Sequence, residues 1–161
     1  MASNILIAYF SHWGHSREFA EAIEKLTGGN LFQIETSRAY PEEHDPCSIQ
    51  AHQEQLIDDR PPLVSHVQNM DQYKTILVGH PIWWYREPMV IRSFLEAYDF
   101  TGKTVIPFCT SGDVGIENTQ KDLKMMLPQA QVKPGLRLAT HAVDTSGSEI
   151  SNWLRNNAVI K

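Results

Sequence analysis

The chain has 161 residues, of which 42% are hydrophobic and 20% are charged, and its formal net charge at pH 7 is −5. This length suits one domain, spanning residues 1–161, and is too short for two ordinary domains. The composition excludes a disordered or fibrous protein. The negative net charge gives no electrostatic support for a nucleic-acid partner.

Cysteine usage and the N-terminal residues point to a cytoplasmic location. Cys47 and Cys109 lie far apart in the sequence, which favours two reduced thiols over a disulfide. Residues 1–4 lead straight into an apolar run and lack the pattern of a signal peptide. Because no apolar run approaches the roughly 18 residues of a membrane span, we expect no membrane association.

The first half of the chain alternates strand and helix patterns. Residues 5–10 form a near-continuous apolar run, as expected for a parallel strand covered on both faces. Apolar residues then repeat at helical spacing over 19–26, and the glycines at 28–29 predict the end of that helix. Residues 31–34 predict a shorter strand near the sheet edge, and a helix is expected around 48–58.

The third and fourth strands have clearer patterns. Residues 75–79 are the next buried strand, and Pro88 suits the first turn of a helix whose apolar stripe runs over 91–98. Residues 104–109 predict the fourth strand, although Pro107 removes one hydrogen-bond donor from its ladder.

The last third has weaker patterns. A helix is expected to end at Pro128, an edge strand to lie within 132–138, and a final helix to open with the capping-box spacing of 146–149. Strand and helix thus alternate five times. With right-handed crossovers, this order predicts an α/β fold, a doubly wound three-layer sandwich around a five-stranded parallel sheet.

Three segments that directly follow buried strands carry the chemical signal. They are the turn 11–16, the aromatic run 81–85 and the loop 110–115. In an open parallel sheet, ligands bind outside the carboxyl ends of the strands, so these segments should converge on one rim. Hydroxyls, backbone amides and aromatic rings together predict a site for a flat aromatic phosphate ester. The candidate binding residues are Ser11, His12, Trp13, Gly14, His15, Ser16, Pro81, Ile82, Trp83, Trp84, Tyr85, Thr110, Ser111, Gly112, Asp113, Val114 and Gly115.

The turn 11–16 is interpreted as the phosphate site. Its amides and hydroxyls, together with the dipole of the following helix, suit an anion, and Gly14 allows close backbone approach. The alternative is a helix start that binds nothing, with Ser16 as its N-cap. The absence of GxGxxG and GxxxxGK[ST] favours a mononucleotide over a dinucleotide or a nucleoside triphosphate.

The other two segments also have alternatives. Trp83, Trp84 and Tyr85 suit a stacking platform for a flat ring system, or else a subunit interface in a homodimer. The loop 110–115 suits the edge of a planar heterocycle, or else an ordinary strand-to-helix turn capped by Asp113. Among the histidines only His12 and His15 lie close together, so no metal site is expected.

The chain resembles the flavodoxin-like FMN-binding proteins, in particular their bacterial single-domain branch. The resemblance spans almost the full length. Its most specific pieces are residues 70–84 and 94–112, with shorter matches at 40–41, at Cys47 and at 60–62. Flavodoxin is itself the standard example of the strand order 2-1-3-4-5, so this order is expected from the resemblance.

The resemblance implies FMN as the cofactor. Its phosphate would lie in the turn 11–16, Trp83 and Trp84 would flank the isoalloxazine, and the loop 110–115 would line the other edge. The turn departs from the family's usual Ser-x-Thr-Gly-Asn-Thr at Trp13 and His15. His12 and His15 then become candidate donors to the phosphate.

The function expected is that of an FMN-binding redox protein in which the flavin performs the chemistry and no side chain is catalytic. One role is an electron carrier that docks on a redox partner protein. The other is a small reductase that takes electrons from NAD(P)H and passes them to a small acceptor such as a quinone. The alternative is a non-catalytic scaffold that has lost FMN and binds a protein partner through residues 83–85.

Overall fold

The computed structural model describes residues 3–161. Met1 and Ala2, which belong to the segment used to predict that there is no signal peptide, lie outside the described residues. The strands are β1 (Ile5–Tyr9), β2 (Asn30–Gln33), β3 (Thr75–Pro81), β4 (Thr104–Ser111), β5 (Gln131–Val132) and β6 (Leu136–Ala139). The helices are α1 (His15–Thr27), α2 (His44–Leu56), α3 (Met89–Glu96), α4 (Glu117–Met126) and α5 (Gly147–Asn156), with short 3-10 turns at Met70–Gln72 and Val143–Thr145. None of the helices within this range is long and apolar enough to cross a membrane.

The sheet is parallel, with the strand order β2-β1-β3-β4-β5, and β6 also pairs with β4. This confirms the predicted order. The prediction of one edge strand within 132–138 is wrong, because β5 and β6 are separate. The break lies beside Pro107, which has no N–H, and Gly135 passes so close that a Cβ there would lie 2.4 Å from the Pro107 carbonyl oxygen.

Two hydrophobic cores lie on opposite faces of this sheet. Leu6 and Ala8 of β1 face the core that α3 and α4 cover, whereas Ile7 and Tyr9 face the core that α1 and α5 cover. Both faces of the central strands are therefore buried. This explains why those strands are nearly continuous apolar runs in the sequence.

The helix ends differ from the sequence predictions in two places. Helix α2 begins earlier than predicted, at His44, and ends at Leu56. The prediction of a capping box at Ser146 is wrong. The Ser146 hydroxyl donates back to the Ala142 carbonyl at 2.6 Å and does not cap α5. The predicted end of α1 is confirmed, since Gly28 adopts a left-handed conformation with φ 70°.

Candidate functional site

The three predicted segments meet at the carboxyl ends of β1, β3 and β4, around two adjacent cavities. The first cavity, of about 260 Å³, is lined by Ser11, His12, Trp13, His15, Ser16, His44, Pro81, Ile82, Trp83, Thr110, Ser111, Gly112 and Thr140. The second cavity, of about 280 Å³, is lined by Trp13, His44, Ser48, Ile82, Trp83, Trp84, Tyr85 and Val114. Trp13, His44, Ile82 and Trp83 line both, so the two cavities adjoin. A larger groove of about 930 Å³ between α1 and α5 contains none of the predicted residues.

Most of the predicted residues line these cavities, but Gly14, Asp113 and Gly115 line neither. Three lining residues were not predicted: His44, Ser48 and Thr140. The first two lie in α2, whose start the sequence pattern placed too late. Thr140 directly follows β6, so the rule that selected the other rim segments would have found it if that strand had been recognised.

The turn before α1 leaves several backbone N–H groups without a protein acceptor. Gly14 is the N-cap, with φ 100°, and its N–H donates to Ser11 Oγ at 3.1 Å. Ser16 is not the N-cap, because its buried hydroxyl lies 3.0 Å from Thr110 Oγ1. Among residues 3–161, no protein acceptor bonds the backbone N–H groups at positions 15–17. Free N–H groups at a helix N-terminus are, in general, a favourable site for an anion such as phosphate.

Two side chains of this turn are tied to the segment before α2. The ring Nε2 of His12 lies 2.7 Å from the Pro41 carbonyl, which can only accept, so this nitrogen carries the hydrogen. Trp13 Nε1 donates to the Glu42 carbonyl at 2.9 Å. In its neutral form His12 therefore has no free N–H for a phosphate, while the exposed His15 begins α1.

The aromatic run forms a two-residue turn between Trp83 and Arg86. The Trp83 N–H donates to the Arg86 carbonyl at 2.9 Å, and the Arg86 N–H donates to the Trp83 carbonyl at 3.3 Å. Trp84 and Tyr85, at the centre of the turn, have φ values of 52° and 72°. Turns of this geometry usually carry Asn or Gly there. We call residues 83–86 the aromatic turn.

The rings of this turn have different surroundings. Trp83 is half-buried and contacts Phe10 and Tyr40 edge-on, with ring centroids 5.5 and 5.2 Å apart. Trp84 is 40% exposed; it stacks on His52 at 4.0 Å, and its Nε1 donates to the Ser48 carbonyl at 2.7 Å. Tyr85 is 62% exposed. Trp83 is therefore a rigid wall between the two cavities, whereas Trp84 forms the outer wall of the second.

The loop after β4 is fixed by an arginine that the sequence did not single out. Arg137 of β6 donates from Nε to Ser111 Oγ at 2.8 Å and from Nη2 to the Gly112 carbonyl at 2.6 Å. Ser111 Oγ in turn donates to the Val114 carbonyl at 2.5 Å. The sequence did not indicate a role for Arg137, because this residue lies on the strand with the weakest sequence pattern.

A buried charged cluster lies behind the aromatic turn. Glu87 is buried; its carboxylate accepts from Arg92 Nε at 3.0 Å and from the Thr119 hydroxyl at 3.3 Å. Arg92 also donates to Asp122 at 3.1 Å. Burial and the neighbouring Asp122 raise the pKa of Glu87 to about 7, against the opposing influence of Arg92. We call Glu87, Arg92, Thr119 and Asp122 the buried cluster.

His80 and Cys109 pair on the adjacent strands β3 and β4 just below the rim. The His80 Nε2 atom lies 3.6 Å from Cys109 Sγ, and both side chains are fully buried. Burial lowers the pKa of His80 to about 4 and raises that of Cys109 well above its usual value. Both groups are therefore neutral at pH 7. Cys109 lacks the thiolate character of a reactive cysteine.

Comparisons with known proteins agree with this fold. A family model described as Flavodoxin matches residues 4–157. A protein of Bacteroides uniformis, named a putative flavoprotein, is 32% identical and covers 96% of this chain and 99% of its own, with a TM-score of 0.84. A similarly named protein of Bacteroides eggerthii is 31% identical over 98% of each chain, with a TM-score of 0.77.

A third solved structure shares the fold at lower identity. It is a flavoprotein of Lactobacillus acidophilus in complex with FMN, 20% identical over 92% of this chain and 98% of its own, with a TM-score of 0.75. A comparison with curated proteins found no match. Because the family model covers nearly the whole chain, this protein belongs to the flavodoxin family.

Proposed function

We propose that this protein binds FMN across the two cavities, with the phosphate at the N-terminus of α1 and the isoalloxazine beside Trp83. The observation that carries the proposal is the turn before α1, where the backbone N–H groups at positions 15–17 have no protein acceptor and the side chains of most of the turn line the first cavity. Taken together, the cavities reach the roughly 300–1,000 Å³ of small-molecule sites.

The chemistry of the lining fits the parts of FMN. Hydroxyls of Ser11, Ser16 and Thr110 lie at the phosphate end, and the rings of Trp13 and Trp83 lie towards the second cavity. Stacking on an aromatic side chain contributes about 0.5–1.5 kcal/mol beyond area burial. The FMN complex of the related Lactobacillus fold supports the same class of ligand.

A bound flavin supplies one-electron and two-electron transfer chemistry, and the protein's own residues bind it, orient it and limit water around it. We propose an FMN-dependent redox protein of the cytoplasm. Its donor is NAD(P)H or a reduced protein, and its acceptor is a redox partner protein or a small molecule such as a quinone. The exposure of Trp84 and Tyr85 favours access at the edge of the second cavity.

The experiment is a visible spectrum of the purified protein, followed by calorimetric titration with FMN, FAD and NAD. We expect a flavin spectrum or tight one-to-one binding of FMN, and weaker binding of the dinucleotides because the single anion-binding turn serves one phosphate. If FMN does not bind at micromolar concentrations, the scaffold alternative, in which the aromatic turn binds a protein partner, replaces this proposal.

The two redox roles can be separated by rapid mixing. A reductase loaded with FMN would be reduced by NADH or NADPH and then reoxidised by a quinone within seconds. An electron carrier would ignore both nicotinamides but exchange electrons with a one-electron donor. Dithionite reduction serves as the control that the bound flavin is redox-active.

A further inference from the structure

The aromatic turn holds a conformation that its own residues disfavour. Trp84 and Tyr85 both have positive φ, and such values are unfavourable for residues with a Cβ. A strained turn persists only where the surrounding structure over-determines it. The contacts that hold this turn are therefore part of how the site is built.

Two side-chain amides from different helices hold the backbone carbonyls of this turn. Gln55 Nε2, near the end of α2, donates to the Trp84 carbonyl at 3.2 Å. Asn118 Nδ2, near the start of α4, donates to the Tyr85 carbonyl at 3.0 Å. The two strained residues are thus each held through their carbonyl oxygen, from two helices that flank the turn.

Two backbone hydrogen bonds between Trp83 and Arg86 close the turn, and its other side-chain contacts orient side chains rather than the central carbonyls. Trp84 is held by the Ser48 carbonyl and the His52 ring, and the Arg86 guanidinium lies 3.5 Å from the Asp122 carboxylate. None of these bonds involves the carbonyls at the centre of the turn. Beyond the Trp83–Arg86 backbone pair, Gln55 and Asn118 are therefore the groups that hold the two left-handed residues through their backbone.

We propose that Gln55 and Asn118 are positioning residues that fix the aromatic turn and thereby set the affinity of the second cavity for the flavin ring. This inference rests on the proposed binding of FMN. Neither residue lines either cavity, so each acts on the ligand only through the turn. Without these amides the turn relaxes towards negative φ, and the wall formed by Trp83, Trp84 and Tyr85 loses its shape.

The test uses nearly isosteric variants that lack the donor, Gln55→Met and Asn118→Leu. Controls are Gln53→Met, an exposed position on the same helix, and Asn156→Leu, an exposed position on α5. The first measurement is hydrogen exchange of the Arg86 N–H, which donates to the Trp83 carbonyl, in FMN-free protein. We expect exchange to rise by about two- to fivefold in each test variant, since exposed hydrogen bonds lie at the weak end of their range.

The second measurement is FMN affinity, which should fall by about two- to fivefold in each test variant and stay unchanged in both controls. A Tyr85→Gly background separates positioning from general stabilisation. Glycine adopts positive φ without strain, so Asn118→Leu should then have a smaller effect on exchange and on affinity.

Unchanged exchange in both test variants overturns the inference, and so does faster exchange with unchanged FMN affinity. An equal effect of Asn118→Leu with Tyr85 or Gly at position 85 overturns it as well. Failure of the wild type to bind FMN overturns the proposed function instead, and the exchange data then still decide whether these amides hold the turn.

Discussion

The two turns that face the candidate site reach left-handed backbone by different means. The turn before α1 places Gly14 at φ 100°, whereas the aromatic turn places Trp84 and Tyr85 at 52° and 72°. Glycine accepts such values without a steric cost, while other residues lose roughly 1–2 kcal/mol each. The first turn is therefore specified by its own sequence, and the second depends on Gln55 and Asn118 from elsewhere in the chain.

The groups behind the two turns differ as well. The turn before α1 is backed by neutral hydroxyls, those of Ser16 and Thr110. The aromatic turn is backed by the buried cluster, in which Glu87 and Asp122 share Arg92. The groups packed behind the turn before α1 are thus uncharged hydroxyls, whereas those behind the aromatic turn are ionisable groups in a buried setting.

The largest expected effect separates the two tryptophans of the aromatic turn. Trp83→Ala removes the half-buried ring that contacts Phe10 and Tyr40, so the free energy of unfolding should fall by about 3 kcal/mol. Trp84→Ala removes an exposed ring, one stacking contact and one hydrogen bond, and should cost about 1 kcal/mol. Urea denaturation of FMN-free protein measures both free-energy changes. Equal losses of stability in the two variants would contradict the different roles given to Trp83 and Trp84.

The next effect concerns the glycine of the turn before α1. Gly14→Ala should lower the free energy of unfolding by about 1–2 kcal/mol, because the residue must hold φ 100° although its Cβ has room. Gly112→Ala is the matched control, since its Cβ also meets no atom within 4 Å and its φ is not positive. If Gly14→Ala and Gly112→Ala unfold at the same urea concentration, the claim that the turn before α1 requires glycine at position 14 is contradicted.

The third prediction tests the buried cluster through pH. Because the folded-state pKa of Glu87 is raised from 4.5 to about 7, its stabilising contribution is present below pH 4.5 and is lost as pH rises through about 7. Glu87→Gln, which stays neutral, should therefore lose less stability than the wild type between pH 5 and pH 8, by about 1 kcal/mol or more.

The control for this pH profile is Glu117→Gln, an exposed carboxylate at the start of α4. Its unfolding free energy should follow the wild-type profile. The lowered pKa of His80 makes a contribution to stability that is fully present above pH 6.5 and is lost as pH falls from there through about 4; the wild type and Glu87→Gln share it, so it cancels in their difference. Parallel profiles of Glu87→Gln and the wild type would show that Glu87 is already ionised at pH 5.

The smallest effect has the opposite sign. Tyr85→Gly should raise the free energy of unfolding by up to about 1 kcal/mol, because relief of the strain at φ 72° exceeds the entropy cost of glycine. Tyr85 is 62% exposed, so little packing is lost with its ring. Thermal denaturation of the FMN-free wild type and variant measures this change in stability. A less stable Tyr85→Gly variant would show that the Tyr85 backbone is not strained.

The strands and the rim could be predicted from the sequence because they depend on local patterns. Apolar runs identified β1, β3 and β4, and the position of a segment after a strand identified the rim. The break between β5 and β6 could not be predicted, since it depends on Pro107 lying beside Gly135. The family resemblance, rather than periodicity, supplied the strand order.

The missed site residues share a physical cause. His44 and Ser48 come from α2, and Arg137 and Thr140 come from β6 and the residue after it, where the sequence patterns were weak. The dependence of the aromatic turn on Gln55 and Asn118 is entirely tertiary. Neither amide belongs to a motif, and only the fold brings them to adjacent carbonyls.

The central claim is that the N–H groups at the start of α1 bind the phosphate of FMN. Parallel calorimetric titrations of the wild type with FMN and with riboflavin test it most directly, because the two ligands share the ring system and differ in the phosphate. Charge-assisted hydrogen bonds from two or more backbone amides predict that FMN binds about a hundredfold more tightly. Equal affinities for FMN and riboflavin would contradict the account.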